Sequence, residues 1–379
     1  MKILQIIPSL GSGGAERLVV DLCNEMADQG QDVTLCIVQN PEEEDYGFYL
    51  HELHESVRFI SLNQKKGFTF RNISSLQKMI REISPDIVHV HLSAILYLYV
   101  LSLVNLNTCF YHTLHNLAEK TCDNSVLKLM NYFYFSLGII KVITISEECD
   151  ISYQKFYKLR NATMINNGRK ANLPSINYPS VREEINHLKK QDSDLVFIHV
   201  ARYHRQKNQE LLIRVFNRLE KEGISYLLLV LGDWSFCEEA KELAQTANKN
   251  IHFLGTKKNV SDYLFLSDAF CMTSLYEGMP ISLLEALSCG CTPVCTPVGG
   301  IKDIVQDGIT GFLSENLSED AYYTCIKRYM IQKDNINRKV LIKLFEDKYS
   351  IEYCAGHHIS LYSSKKQISH KINFKYPQL

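Results

Sequence analysis

Two glutamates carry the densest chemistry in this 379-residue chain, within Tyr276-Glu277-Gly278-Met279-Pro280-Ile281-Ser282-Leu283-Leu284-Glu285-Ala286. Proline is tolerated in the first turn of a helix, where its missing N–H is no loss. Gly290 suits a C-terminal stop. The spacing predicts a helix from about Pro280 to Cys289, with Glu277 just ahead of it and Glu285 one to two turns inside. Free N–H groups at such an end attract anions. Two carboxylates beside an anion site can clamp a ligand bearing hydroxyls and phosphates, as a sugar nucleotide does. The plainer reading is that Glu277 caps the helix dipole and Glu285 lies on a solvated face.

Other residue groups could do chemistry. Gly11-Ser12-Gly13-Gly14-Ala15-Glu16-Arg17 follows the first strand-like run. Its glycines permit unusual backbone angles and close approach of a ligand, or simply a tight strand-to-helix turn. It is not the Gly-x-Gly-x-x-Gly dinucleotide fingerprint, and no acidic strand end follows at the usual distance. Ala201-Arg202-Tyr203-His204-Arg205-Gln206-Lys207 also follows a strand-like run. Arg202 and Lys207 could neutralise a diphosphate, one by a bidentate fork and the other as a point charge, or could be routine surface charges. His89 and His91 alternate along one strand and share a face. His112 and His115 flank the end of the next. No acidic or cysteine ligand accompanies the four, which favours buried histidines satisfied by backbone carbonyls over a metal site. Cys289, Cys291 and Cys295 match no common zinc spacing.

Strand-like and helix-like runs alternate nearly throughout, the pattern of a doubly wound parallel sheet. Strands are expected at residues 2–8, 33–38, 57–62, 87–91, 109–113 and 139–145, with helices at 15–27, 71–83, 94–104 and 126–137. Residues 169–180, with Pro174 and Pro179, read as a linker. The alternation then restarts with strands at 195–200, 226–231, 251–254, 269–272 and 292–295 and helices at 209–220 and 236–247, and is helical from about 318. The expectation is two α/β domains, 1–170 and 181–350, followed by a helix and tail at 351–379.

Composition narrows the function classes. A net charge of −1 gives no whole-chain case for nucleic acid. The 12 cysteines are scattered in apolar runs and read as small buried hydrophobes of a reducing compartment. The first eight residues read as a strand rather than a leader, because a glycine loop stands where a cleavage site would be. The longest apolar run, 92–106, falls short of roughly 18–20 residues needed to span a bilayer. The expectation is a cytoplasmic protein, at most peripheral to a membrane. Lys65, Lys66, Phe68, Phe70 and Arg71, and in the tail Lys365, Lys366, Lys371, Phe374, Lys375 and Tyr376, form basic and aromatic patches that fit anionic headgroups or plain solvated segments.

The paired-glutamate stretch, the Gly-Gly-Ala-Glu-Arg loop and the Arg202/Lys207 pair occur in order with Thr296-Pro297-Val298-Gly299-Gly300-Ile301-Lys302-Asp303 and Asp307-Gly308-Ile309-Thr310-Gly311-Phe312-Leu313. Together they resemble retaining GT-B glycosyltransferases of family 4, over nearly the whole chain. Two departures are local: Asp303 stands where the family often has glutamate, and Asn166-Asn167-Gly168-Arg169 lacks the usual preceding proline. The resemblance implies two Rossmann-like domains facing across a cleft, with a C-terminal helix crossing back to the first. It implies a nucleoside-diphosphate sugar donor, UDP- or GDP-linked, and a hydroxyl on a glycan or lipid-linked acceptor.

By the same resemblance, Glu285 holds the ribose, and Gly255 and Val260 lie near the base. Gly13, Gly14, Arg202 and Lys207 face the diphosphate. Glu277, Gly278, Met279 and Pro280 hold the sugar, with His115 contacting it and His112 the second match. Glu16 and Asn116 face the acceptor. No cofactor or catalytic metal is expected, since the only Asp-x-Asp, at 192–194, lies beside the linker. Two alternatives use the same pocket. An epimerase or hydrolase would need an acid/base pair on the sugar, for which only Glu277 and His115 are at hand. A silent sugar-nucleotide-binding subunit would be signalled by loss of Glu277, Lys207 or the histidine, all of which are present.

Overall fold

A computed structural model describes residues 1–43, 46–122, 124–235 and 237–373, with side chains along the last helix described as far as Ser364. The tail residues Phe374, Lys375 and Tyr376, and Phe236 at the start of an expected helix, lie outside the described residues, as do the side chains of Lys365, Lys366 and Lys371. The chain forms two compact units, Met1–Lys170 with Lys348–Leu379, and Ala171–Asp347.

The first unit holds a parallel sheet of β1 (Lys2–Ile7), β2 (Asp32–Gln39), β3 (Arg58–Gln64), β4 (Ile87–His91), β5 (Cys109–Leu114), β6 (Ile140–Thr144) and β7 (Thr163–Met164). Their spatial order is 3-2-1-4-5-6-7. Most strands are covered on both faces, so they read as continuous apolar runs rather than alternations. One face, with Leu4, Ile6, Val88, Val90 and Phe110, packs mainly apolar side chains against its helices. The opposite face is polar: register places Gln5 beside His89, and His89 and His91 beside Tyr111 and Thr113. The Ile351–Asn373 helix brings Tyr362 and His358 to this face, and it also packs against the Gly14–Asp28 helix. Its start is tied to the unit by a bridge between Arg169 and Ser350 and by the buried Arg169–Asp21 ion pair at 2.8 Å. Gly168 is needed there, because a Cβ would stand 2.6 Å from both the Ser350 carbonyl oxygen and Cys354 Cβ.

Helices Phe70–Ile83, Ile95–Val104 and Ser125–Ser136 are neighbours, joined by Asn72–Tyr97 at 3.0 Å and Tyr99–Asn131 at 2.7 Å. Their outer faces are apolar and exposed: Phe70 by 80% and Leu129 by 69%, with Leu106 beyond the middle helix at 86%. Among the described residues no helix is long and apolar enough to cross a membrane.

The second unit repeats the plan with β8 (Leu195–Val200), β9 (Tyr226–Leu231), β10 (Ile251–Gly255), β11 (Ala269–Met272), β12 (Thr292–Cys295) and β13 (Phe312–Leu313), in order 10-9-8-11-12-13. Much of the segment read as linker is bonded into this unit. Ser175 N–H donates to Asp262 at 2.7 Å, and Asn172 donates to Ser288 at 2.9 Å. In both sheets the strand order reverses beside the first strand, between β1 and β4 and between β8 and β11. Ligands of open α/β sheets bind at the carboxyl ends of strands flanking such a reversal.

Candidate functional site

In the second unit the reversal point is where the predicted residues converge. The 201–208 loop leaves β8 and the 273–280 loop leaves β11, and the two are laced together. Leu275 N–H donates to the Gln206 carbonyl at 2.8 Å, Gln206 Nε2 to the Tyr276 carbonyl at 2.8 Å, and Thr273 Oγ1 to the Lys207 carbonyl at 3.0 Å. This lacing sets Lys207 Nζ 2.7 Å from Glu277 Oε1. Ser274 Oγ donates to the same oxygen at 2.6 Å, and Gln206 Nε2 reaches Oε2 at 3.3 Å. A buried carboxylate needs such partners, because an unpaired charge in the interior is costly. Arg202 is exposed, and the described residues give its guanidinium no carboxylate partner.

The helix after this loop is Ile281–Ser288, with Pro280 as its N-cap at φ −73° and Gly290 in the left-handed region at φ +67°. Gly278, Met279 and Pro280 are buried at its start, and Glu285 is half-buried in its second turn. A third loop braces the arrangement. Gly299 has φ +51°, and a Cβ there would lie 1.8 Å from the Glu277 carbonyl oxygen, so no other residue fits. Gly300 N–H donates to the Gly278 carbonyl at 2.8 Å, and Thr296 Oγ1 to the Ser274 carbonyl at 2.7 Å. Gly255 ends β10 on the same carboxyl rim, with φ +68° and open space about it, and Val260 starts the Val260–Leu266 helix, which packs beside Ile281–Ser288. Asp194 of the Asp-x-Asp caps a turn instead, accepting from the N–H groups of Lys190 at 3.0 Å and Gln191 at 3.1 Å.

In the first unit, Gly13 is the N-cap of Gly14–Asp28. Glu16 folds back over it, since a Cβ on Gly13 would stand 2.2 Å from Glu16 Oε2. His115 and Asn116 lie just beyond β5, both half-buried, and Asn116 Oδ1 accepts from Leu117 N–H at 2.8 Å. The four histidines are not one cluster. His112 is in register with Val90 and points to the apolar face, its ring stacked on Phe135 with centroids 6.4 Å apart. His89, His91 and His115 belong to the polar side. Side chains rather than backbone carbonyls satisfy them: His89 bonds Tyr362 and Thr113, each at 2.7 Å, and His91 bonds Gln5 and His115, each at 2.9 Å. Burial depresses all four pKa values, His112 to about 4 and His115 to about 3, so these rings are neutral near pH 7. Among the described residues no group of three or more histidine, cysteine or acidic side chains could hold a metal ion.

Sequence reading missed Ser274 and Gln5, and it named Gln206, Thr296 and Gly299 within motifs without assigning them a role. The one signal available was position, since Ser274 and Gln206 flank Glu277 and Lys207 in their loops.

Two family models match the chain: Glycosyltransferase Family 4 over residues 12–173, and Glycosyl transferases group 1 over residues 180–343. An Escherichia coli UDP-Gal:alpha-D-GlcNAc-diphosphoundecaprenol alpha-1,3-galactosyltransferase is 25% identical over 346 residues, covering 86% of each chain. A GalNAc-alpha-(1->4)-GalNAc-alpha-(1->3)-diNAcBac-PP-undecaprenol alpha-1,4-N-acetyl-D-galactosaminyltransferase of Campylobacter jejuni is 23% identical over 348 residues, 90% of this chain and 92% of that one. Among solved structures, a glycosyltransferase from Rickettsia africae aligns with a TM-score of 0.78 at 19% identity, over 96% of this chain and 97% of its own. Anabaena HepE in complex with UDP and glucose aligns at 0.77 and 19%, over 96% and 100%. At these identities the structural likeness is one of fold.

Proposed function

The chain belongs to the GT-B glycosyltransferases of family 4, and on that premise we propose that it moves a hexose-type unit from a nucleoside-diphosphate sugar to a hydroxyl of a glycan or lipid-linked glycan, with retention of anomeric configuration. The carrying observation is the buried Lys207–Glu277 pair at the sheet's reversal point, with the exposed Arg202 in the same loop. A donor laid there meets two cations for its diphosphate and, in Glu277, a carboxylate with a free lone pair for sugar hydroxyls. Charge developing on the departing diphosphate is stabilised by these preset groups, the kind of term that often dominates catalysis. Glu285 takes the ribose, and the rim at Gly255 and Val260 the base. In the first unit, Gly14 offers its backbone N–H to phosphate and Gly13, whose own N–H donates to the Gly11 carbonyl at 2.8 Å, lets the ligand come close, while His115 takes a sugar hydroxyl and Glu16 and Asn116 serve the acceptor.

The Anabaena protein binds UDP and glucose, and the names of the two bacterial relatives give undecaprenol-linked glycans. These support, for this chain, a UDP-sugar and an acceptor on a lipid carrier. Such an acceptor lies at a membrane surface. The exposed apolar faces of the three neighbouring helices, with the exposed cations Lys65, Lys66, Arg71 and Lys78 beside them, fit peripheral contact with an anionic bilayer at its cytoplasmic side. No metal takes part in the proposed step, so activity is expected to survive chelation by EDTA.

A thermal-shift series against UDP- and GDP-sugars tests the donor site. A ligand bound only by the folded state must raise its stability by mass action. One nucleotide class is expected to stabilise the wild type, and Glu285→Ala and Lys207→Ala to lose the shift. No shift at millimolar concentrations of either class would sink the donor assignment.

A further inference from the structure

The polar face beneath the C-terminal helix contains a chain of side chains that ends on His115. Gln5 Oε1 lies 2.9 Å from His91 Nε2, and His91 Nδ1 lies 2.9 Å from His115 Nε2. Tyr362 from the C-terminal helix covers the same face, its hydroxyl bonding His89 Nδ1 at 2.7 Å. We propose that this relay, from Gln5 through His91, fixes His115 as its Nε2–H tautomer and leaves Nδ1 as a hydrogen-bond acceptor.

A neutral imidazole has one donor and one acceptor nitrogen. An amide oxygen only accepts, so His91 Nε2 carries the hydrogen facing Gln5 Oε1. His91 Nδ1 is then a lone pair, and His115 Nε2 must donate to it. His115 Nδ1 is left bare. The orientation of Gln5 decides the whole chain, because a turned amide would present Nε2 to His91 and reverse every bond after it. Gln5 is fully buried, and its Nε2 faces Met26 Sδ at 3.8 Å; a thioether sulfur only accepts, so the amide N–H belongs on that side and Oε1 on the His91 side. Desolvation keeps both rings neutral, which the relay requires.

A bare Nδ1 accepts from a hydroxyl and rejects a carbonyl or phosphate oxygen. Gln5 and His91 are therefore positioning residues for His115. The consequence for transfer rests on the reading of His115 as a sugar contact, whereas the tautomer itself does not. The test is a long-range proton–nitrogen NMR spectrum of the full chain labelled with 15N-histidine, above pH 7, with His115 assigned by His115→Asn. The wild type is expected to show His115 protonated at Nε2 alone. Gln5→Met and Gln5→Leu, which remove the amide oxygen at nearly constant volume, are expected to shift the tautomer ratio at least about tenfold and to lower kcat by roughly 10–100-fold, as loss of an orienting hydrogen bond commonly does. A wild-type His115 protonated at Nδ1, or a ratio unmoved in both variants, overturns the relay. With the tautomer as stated, an unaltered kcat/KM in His115→Asn overturns the sugar contact alone.

Discussion

Glu277 and Lys207 are unequal partners, and the inequality makes a prediction. The Glu277 side chain is 6% exposed and Lys207 21%. Removing Lys207 strands a buried carboxylate with only Ser274 and Gln206, whereas neutralising Glu277 leaves an ammonium that can turn towards water on its flexible stem. Lys207→Ala is therefore expected to cost roughly 1–3 kcal/mol of stability, the range for losing a charged hydrogen-bond partner of a buried group. Glu277→Gln should cost clearly less. Urea unfolding followed by Trp234 fluorescence reads this unit directly. Both variants should lose roughly 10²–10³ in kcat/KM if the pair stabilises the departing diphosphate. Equal stability losses would mean that Glu277 is not held as a buried charge. Glu277 and Lys207 were legible in the sequence because their motifs are; Ser274 and Gln206 were not. Which neutral side chains complete a buried carboxylate depends on how loops from β8 and β11 meet, and no local spacing encodes that.

At the scale of elements, legibility followed burial pattern. Strands β4, β8, β9, β11 and β12 fall at the expected bounds, because runs such as Tyr226–Leu231 are apolar throughout and bounded by turn residues. The Glu147–Tyr157 helix had no such signal. Its buried positions are Cys149, Ser152, Tyr153 and Tyr157, which do not form an aliphatic stripe. β7 has only two residues, too few for any period. Some functional geometry also resides in the elements' connections. Gly299→Ala would combine a left-handed backbone with a Cβ 1.8 Å from the Glu277 carbonyl oxygen, so the loop must shift. Strain of this kind costs about 1–3 kcal/mol. The expected outcome is a stable, folded protein with strongly reduced donor-induced thermal shift; an unchanged shift would show that the brace does not hold Glu277 in place. The apolar faces of helices Phe70–Ile83 and Ser125–Ser136 make the other element-scale prediction. Phe70→Ser with Leu129→Ser should weaken sedimentation with vesicles containing anionic lipid severalfold while leaving the melting temperature nearly unchanged, since both side chains are mostly exposed already. Undiminished binding would remove this face from the membrane proposal.

At the scale of the molecule, the two units share a strand order but not a buried chemistry. The first holds five histidines with depressed pKa values, four of them buried and His115 half-buried: His89 and His91 far below the usual range, His112 and His358 at about 4, and His115 at about 3. The second has His199 at about 4 and a smaller depression at His252. In each case burial disfavours the charged ring. As pH falls through about 6.5, the unfolded chain takes up these protons before the folded one does, so stability declines. The loss is absent above about pH 6.5 and grows from there down towards the folded values, at roughly 1.4 kcal/mol per pH unit for each histidine. Domains hold only about 5–15 kcal/mol in reserve. The first unit should therefore unfold between about pH 6 and 4, while the second survives to lower pH. The chain's single tryptophan, Trp234, is buried in the second unit and separates the two events. Far-UV circular dichroism should fall first as acid is added, with tryptophan fluorescence following at lower pH. His358→Leu removes one proton-binding site from the unfolded first unit without removing apolar packing, so it should move the first transition towards lower pH and leave the second alone. Coincident transitions, unmoved by that variant, would mean that the buried histidines do not set the acid limit of this fold.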